Sequence, residues 1–401
     1  MRSAVVLSGA ATLVLVAVAS ASAWRDGAPV VPTDGSHAPE GTAWPFLLLL
    51  VGALVAYLAG LVAVRRGAPA RVVLALGAAI QLVPLAAPLL LSTDAWTYWG
   101  YGWIASDGGG NPYVDSPADF PQSPAADYVG ADWRDTTTVY GPLFTLLSEP
   151  VALLAGSSAD AAAWLFKGLA AAAVLFAAAA VARAAARPAL AVALVAWNPV
   201  LAIHLAGGGH NDALVGGLAA LGVALAVRHR ATLAGVAWTL AIAVKWVPVL
   251  FLALTALAAR RRGRPTGLAA AAAAGVAVGA AATLLYGLDW LRAFEPLAEN
   301  AVRETSYALP SRLEQLGLPH AVSIGLAAAA AAAGLAWIAR DAWRGVPRHG
   351  RAACLVLATT PYLAVWYLAW AVPLAAVDED RVARVAALAL TAYLLPQTIP
   401  L

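Results

Sequence analysis

Apolar residues fall into ten stretches that read as membrane-crossing helices, at residues 5–23, 44–64, 72–91, 161–182, 189–206, 213–227, 267–286, 321–339, 352–377 and 382–399. About 20 apolar residues are needed to cover the hydrocarbon core of a bilayer. Residues 231–259 are apolar for longer than one crossing needs and are interrupted by Lys245, Trp246 and Pro248. This predicts two short helices that enter the membrane and return, with the break at Lys245. Residues 142–156 are apolar but short and carry Glu149, so they are expected to penetrate without crossing. Two connections are long, residues 92–140 and 287–319, and long loops in a compact protein usually carry function. The pattern predicts a single all-α, polytopic membrane domain over residues 1–401, with about 11 spans besides the broken or re-entrant helices.

Arginine fixes the expected direction of these spans, because short loops rich in it stay on the cytoplasmic side. There are five clusters: Arg65, Arg66 and Arg71; Arg183 and Arg187; Arg228 and Arg230; Arg260, Arg261, Arg262 and Arg264; and Arg340, Arg344, Arg348 and Arg351. All five lie inside if 142–156 does not cross and 231–259 turns back. Every acidic residue except Asp341 is then expected outside or at its edge. Half-length helices inside a membrane are tolerated where they line a protein-walled or wet cavity, so a cavity open to the outside is expected near Lys245. The first apolar stretch, which ends in Ala21-Ser22-Ala23, is long for a cleaved signal peptide and reads as a retained anchor.

Composition agrees with this picture. Hydrophobic residues make up 62% of the chain and charged residues 12%, against about 45–50% and 25% in soluble domains. The one cysteine, Cys354, excludes an intramolecular disulfide and a cysteine-based metal site. No phosphate-loop, HExxH or GxSxG motif is present, and no basic tract points to nucleic acid.

Asp94 lies where the third span emerges, among Trp96, Tyr98 and Trp99. A partly desolvated carboxylate there has a raised proton affinity and suits a general base. It suits a helix cap equally well. The same loop contains Asn111-Pro112-Tyr113 and ends on Tyr140-Gly141-Pro142, with scattered aspartates between. Such mixed aromatic and acidic surface suits a carbohydrate, although most of the aspartates are expected to be merely solvated. Further on come Trp197-Asn198-Pro199 and Gly207-Gly208-Gly209-His210-Asn211-Asp212. Glycines allow close backbone approach, and helix capping would explain only one member of the His-Asn-Asp group. Lys245 lies in an apolar segment where a cation needs an anion or cavity water, and a lipid phosphate is the natural anion at that depth. Lys167 is expected to snorkel to an interface instead. In the second loop Arg292 is expected to pair with nearby glutamates, while for Arg303 and Arg312 glutamate pairing and bidentate binding of a phosphate both stay open.

Together these strings resemble integral-membrane glycosyltransferases of the GT-C fold. Within that group they are most similar to actinobacterial polyprenyl-phosphomannose-dependent α-1,6-mannosyltransferases. The likeness runs from about residue 92 to 248, and the Asn211-Asp212 turn is its most specific part. It implies an inverting transfer of a sugar, most simply mannose, from a polyprenyl-phosphate donor to a glycan or glycolipid acceptor. The site would lie on the outer face of the cytoplasmic membrane. Asp94 would be the catalytic base, and Lys245, with Arg303 and Arg312, would hold the donor phosphate. Tyr98, Asn111, Tyr113, Tyr140, His210, Asn211 and Asp212 are the candidate substrate contacts. No cofactor is implied, and a divalent metal is not favoured, although the loop aspartates could gather one. The competing class is a transporter or flippase for lipid-linked sugars, which broken helices and an intramembrane lysine also suit. Against it stand the lack of an internal repeat and the large acidic, aromatic loop.

Overall fold

The computed structural model describes residues 2–33, 42–301, 303–377 and 380–401, and among them every regular element is helical. In order these are α1 (Arg2–Ser22), α2 (Trp44–Arg65), α3 (Ala70–Leu82), α4 (Asp94–Ala105), α5 (Pro142–Ala155), α6 (Ala159–Ala184), α7 (Pro188–Ala196), the single turn α8 (Pro199–Leu201) and α9 (Asp212–Val227). Then follow α10 (Ala231–Val244), α11 (Val249–Arg261), α12 (Leu268–Tyr286), α13 (Phe294–Ala301), α14 (Leu309–Gln315), α15 (His320–Trp343), α16 (His349–Thr359), α17 (Leu368–Val377) and α18 (Arg381–Leu394). Alanine, leucine and valine dominate the long helices, and a helix satisfies its own backbone where water is absent. Among the described residues five helices are long and apolar enough to cross a membrane, or six when a bent pair is counted as one span. That pair is α7 and the turn from Pro199 to Gly207, bent by 44°. The bend follows from Trp197-Asn198-Pro199. Asn198 accepts from the Val200 and Leu201 amides, capping a new helix start, while the Trp197 indole donates to the Val73 carbonyl. This motif shapes the scaffold.

The segments that carry the five arginine clusters come together at one end of the bundle. Arg65 and Arg187 share one groove. His229, Arg262, Arg264 and Pro347 share a second hollow with Ala184. The return of 231–259 is present as α10 and α11, separated by 245–248. The start of α5 is tied to that break by the Gly141 amide, which donates to the Val244 carbonyl at 3.0 Å. A Cβ on Gly141 would lie 2.3 Å from the Ala243 carbonyl oxygen, so only glycine permits this approach.

Three expectations are corrected. Residues 352–377 do not form one span. They divide into α16 and α17, and Arg348 and Arg351 at the start of the first pair with Asp380, just past the end of the second. The two helices therefore form a second helical hairpin, broken at Thr360-Pro361, where proline cannot continue a helix. Asp380 accordingly lies at the arginine-rich end, so Asp341 is not the sole acidic residue there. Asp378 and Glu379 lie outside the described residues. Lys167 does not snorkel either. It is buried, and its ammonium donates to the carbonyls of Ala87 and Pro88 where the chain leaves the third span. Lys167→Met should therefore lower the unfolding free energy by about 1–3 kcal/mol, the cost of leaving buried carbonyls unpaired; unchanged thermal unfolding of the purified variant would contradict this.

Cysteines placed at Asp127 in the first long loop and at Arg261 at the opposite end should react with a membrane-impermeant thiol reagent from opposite faces of sealed vesicles. Cys354 is buried and should give little background. Labelling of both positions from one face would break the topology.

Candidate active site

The candidate residues collect where the two helical hairpins, α10–α11 and α16–α17, meet α4 and the turn before α9. Leu91 adopts a left-handed backbone conformation, φ 62°, and the chain turns there so that α4 begins at Asp94. The helix is not capped by the Asp94 carboxylate. Its Oδ2 instead lies 3.1 Å from His210 Nδ1 and 3.3 Å from the Tyr98 hydroxyl, and that hydroxyl is also 3.4 Å from Asn211 Oδ1. His210 is held by the glycine turn. Gly209 has φ +73°, with Ala95 and Phe166 packed 3.2 and 3.4 Å from where a Cβ would be, so any larger residue would push the turn off α4 and α6. The His210 ring stacks on Trp366 at 4.0 Å and 14°. Asn211 precedes α9 but its side chain makes no cap bond.

Asp212, the first residue of α9, is buried and receives Lys245 Nζ at 3.0 and 3.1 Å. Lys245 stands in extended conformation, φ −155° and ψ 139°, directly after α10. Its ammonium also faces the rings of Tyr367, Trp370 and Tyr140 at 4.9, 5.5 and 5.9 Å, an aromatic cage suited to a desolvated cation. The carboxylate of Asp94 and the ammonium of Lys245 line one cavity of about 230 Å³, walled by Tyr140, Trp366, Tyr367 and Trp370. Two roomier hollows, about 520 and 510 Å³, lie at the arginine-rich end and are lined by no carboxylate. Several buried polar atoms in or near the cavity, among them His210 Nε2, Asn211 Nδ2, Trp246 Nε1 and Trp370 Nε1, lack a hydrogen-bond partner among the described residues. Unsatisfied buried donors of this kind are uncommon and call for an explanation such as a ligand.

Not every candidate reaches this cavity. Asn111 braces the first loop, donating to the Tyr286 carbonyl at 2.9 Å. Tyr113 is buried, its hydroxyl 2.9 Å from that of Thr145, and it packs edge-on against Tyr286. Tyr98 stands behind the carboxylate, packed against Tyr140 and Phe144. Arg303 lies over the ring of Trp133 at 5.5 Å, and Trp133 lines the cavity, so this guanidinium stands at its rim. Arg312 does not. It donates to the Tyr393 hydroxyl and to Gln315, and sits over the Tyr307 ring at 4.7 Å. Arg292 pairs with Glu295 at 3.3 Å, as expected. The residues that sequence reading missed are Trp366, Tyr367 and Trp370. Their signal was the run from Thr359 to Pro361 followed by closely spaced aromatics within an otherwise aliphatic stretch. Among the described residues one group of three side chains could share a metal ion, Glu304, Glu314 and His320, and none of them lines the cavity.

The sequence profile described as "Alpha-(1->6)-mannopyranosyltransferase, N-terminal domain" matches residues 5–261. The chain belongs to this mannopyranosyltransferase family. The matched segment contains Asp94, His210, Asp212 and Lys245. A second profile, glycosyltransferase family 87, matches residues 138–398 and takes in the aromatic wall of the α16–α17 hairpin. Alpha-(1->6)-mannopyranosyltransferase A of Corynebacterium glutamicum is 34% identical over 163 residues, which are 39% of this chain and 32% of that protein. The protein of the same name from Mycobacterium tuberculosis is 33% identical over 168 residues, 40% of this chain and 32% of the relative. The matched segment thus spans about a third of the length of these curated relatives. No solved structure matches the chain. Membership of the mannopyranosyltransferase family bears out the resemblance carried by the Asp94, His-Asn-Asp and Lys245 strings.

Proposed function

We propose that this protein transfers mannose from a polyprenyl-phosphate donor to a glycan or glycolipid acceptor on the outer face of the cytoplasmic membrane. The observation that carries this reading is that a carboxylate and an ammonium face one aromatic-walled cavity, with neighbouring residues of one turn, His210 and Asp212, backing each of them. The acceptor hydroxyl gives its proton to Asp94 as its oxygen attacks the anomeric carbon. The bond from that carbon to the phosphate oxygen breaks, and polyprenyl phosphate leaves with the electron pair. Lys245 stabilises the charge that grows on the leaving phosphate, an effect larger in the transition state than in the ground state. His210, clamped between Asp94 and Trp366, orients the base. Attack opposite the leaving group inverts the anomeric centre, so a β-linked donor gives an α-linked product. The lipid tail of the donor stays in the bilayer while its head enters the cavity.

The test is transfer from radiolabelled polyprenyl-phosphomannose to an oligomannoside by purified protein in lipid vesicles, with the anomeric configuration of the product read by NMR. Formation of an α-linked mannoside is expected. Transfer from a nucleotide sugar in vesicles lacking the lipid donor would overturn the donor assignment.

A further inference from the structure

At the arginine-rich end, on the far side of the bundle from Lys245, a groove of about 510 Å³ opens between the end of α2, the turn joining α6 to α7, and the start of α18. Four guanidinium groups line it, those of Arg65, Arg187, Arg381 and Arg384. Apolar side chains continue its wall, among them Leu61, Leu190 and Leu388. None of the four arginines has an ion pair among the described residues, and Arg384 Nε is buried without a hydrogen-bond partner.

The acidic side chains described at this end are already committed. Asp341 takes Arg348. Asp380 takes Arg348 and Arg351, and its Oδ1 also accepts the Val382 and Ala383 amides at the start of α18. Four like charges on one groove repel one another, and a buried guanidinium nitrogen without an acceptor is unfavourable. A ligand carrying phosphate would relieve both, because the planar fork of arginine binds phosphate oxygens in pairs. The apolar wall fits a hydrocarbon chain beside that phosphate. Val62 and Val385 stand exposed at the mouth, so the groove opens onto a surface that a bilayer would cover. Basic pockets between membrane helices on this side are suited to anionic lipid headgroups.

We propose that this groove binds an anionic phospholipid, its phosphate among Arg65, Arg187, Arg381 and Arg384 and an acyl chain along Leu61, Leu190 and Leu388. The site is separate from the cavity of Asp94 and Lys245, and the inference holds whatever reaction takes place there.

The test uses the full protein, stripped of lipid in a neutral detergent, with retained lipid read by native mass spectrometry. Phosphatidylglycerol should be retained at least about tenfold more than phosphatidylcholine. That preference should vanish in the double variant Arg187→Gln/Arg384→Gln and persist in Arg260→Gln, which changes an arginine at the same end outside the groove. Leu388→Trp keeps every charge but fills the acyl track, and should weaken phosphatidylglycerol retention several-fold; it decides the matter if the double variant fails to fold. Equal retention of the two lipids, or a preference untouched by both groove variants, would overturn the proposal. So would full protection from thermal unfolding by inorganic phosphate alone, which would make the groove a site for the free ion.

Discussion

Asp94→Asn should lower mannosyl transfer by about 10²–10⁴-fold, the usual worth of a general base, while donor binding stays within a few-fold. The amide matches the carboxylate in size and can still accept from Tyr98, so α4 and the His210 stack should survive. What is lost is the group proposed to take the acceptor proton. The neighbours sharpen the expectation. His210 Nδ1 lies 3.1 Å from Asp94, so His210→Ala should also slow transfer, but less, because it removes the orienting group and leaves the base. Near-normal turnover of purified Asp94→Asn would move the role of base to Asp212.

Lys245→Ala should weaken donor binding and slow turnover together, since under the proposed mechanism the ammonium meets the phosphate in both the ground and transition states. The ion pair complicates this variant. Asp212 is buried, and removing its partner leaves an uncompensated charge, a change that costs about 3–5 kcal/mol in buried pairs. The double variant Lys245→Ala/Asp212→Ala separates the two effects. It should recover most of the lost stability and none of the donor affinity. Lys245→Arg should restore activity only in part, because a planar fork does not reproduce a compact ammonium inside a cage of Tyr140, Tyr367 and Trp370. Unchanged donor affinity in Lys245→Ala would leave Arg303, over Trp133 at the cavity rim, as the phosphate ligand. Arg312 is engaged by Tyr393 and Gln315 and is a poor substitute.

The α10–α11 break was legible because a lysine and a proline interrupt an apolar run, and both oppose a continuous helix in lipid. The α16–α17 break was not. Thr359-Thr360-Pro361 is nearly neutral in hydropathy beside Tyr362, Trp366 and Trp370, so the run reads as one span, and the cavity's aromatic wall was lost with it. Only tertiary pairing betrays the hairpin, through Arg348 and Arg351 meeting Asp380. Lys167 was misread for a related reason. Its acceptors, the Ala87 and Pro88 carbonyls, are 80 and 79 residues away in sequence, and no local pattern announces a backbone carbonyl as a partner. Asp94, His210, Asp212 and Lys245 were recoverable because each is a polar group in surroundings that make such a group costly. Asn111 and Tyr113 share that mark, but the structure employs them to join the first loop to α12 and α5.

The cavity of Asp94 and Lys245 is about 230 Å³, smaller than the roughly 300–1,000 Å³ of pockets that enclose drug-sized ligands. A single sugar ring with its phosphate comes close to filling it. Under the proposed reaction an acceptor would then present only the hydroxyl of its terminal residue, with the rest of the glycan in the space above. Under the proposed reaction the catalytic centre is blind to chain length. Short and long oligomannosides should share one turnover number and differ only in KM, through whatever contacts the exposed loops provide. The final size of the polymer would then be set by the supply of donor and by competition for chain ends, with no molecular ruler at the point of transfer.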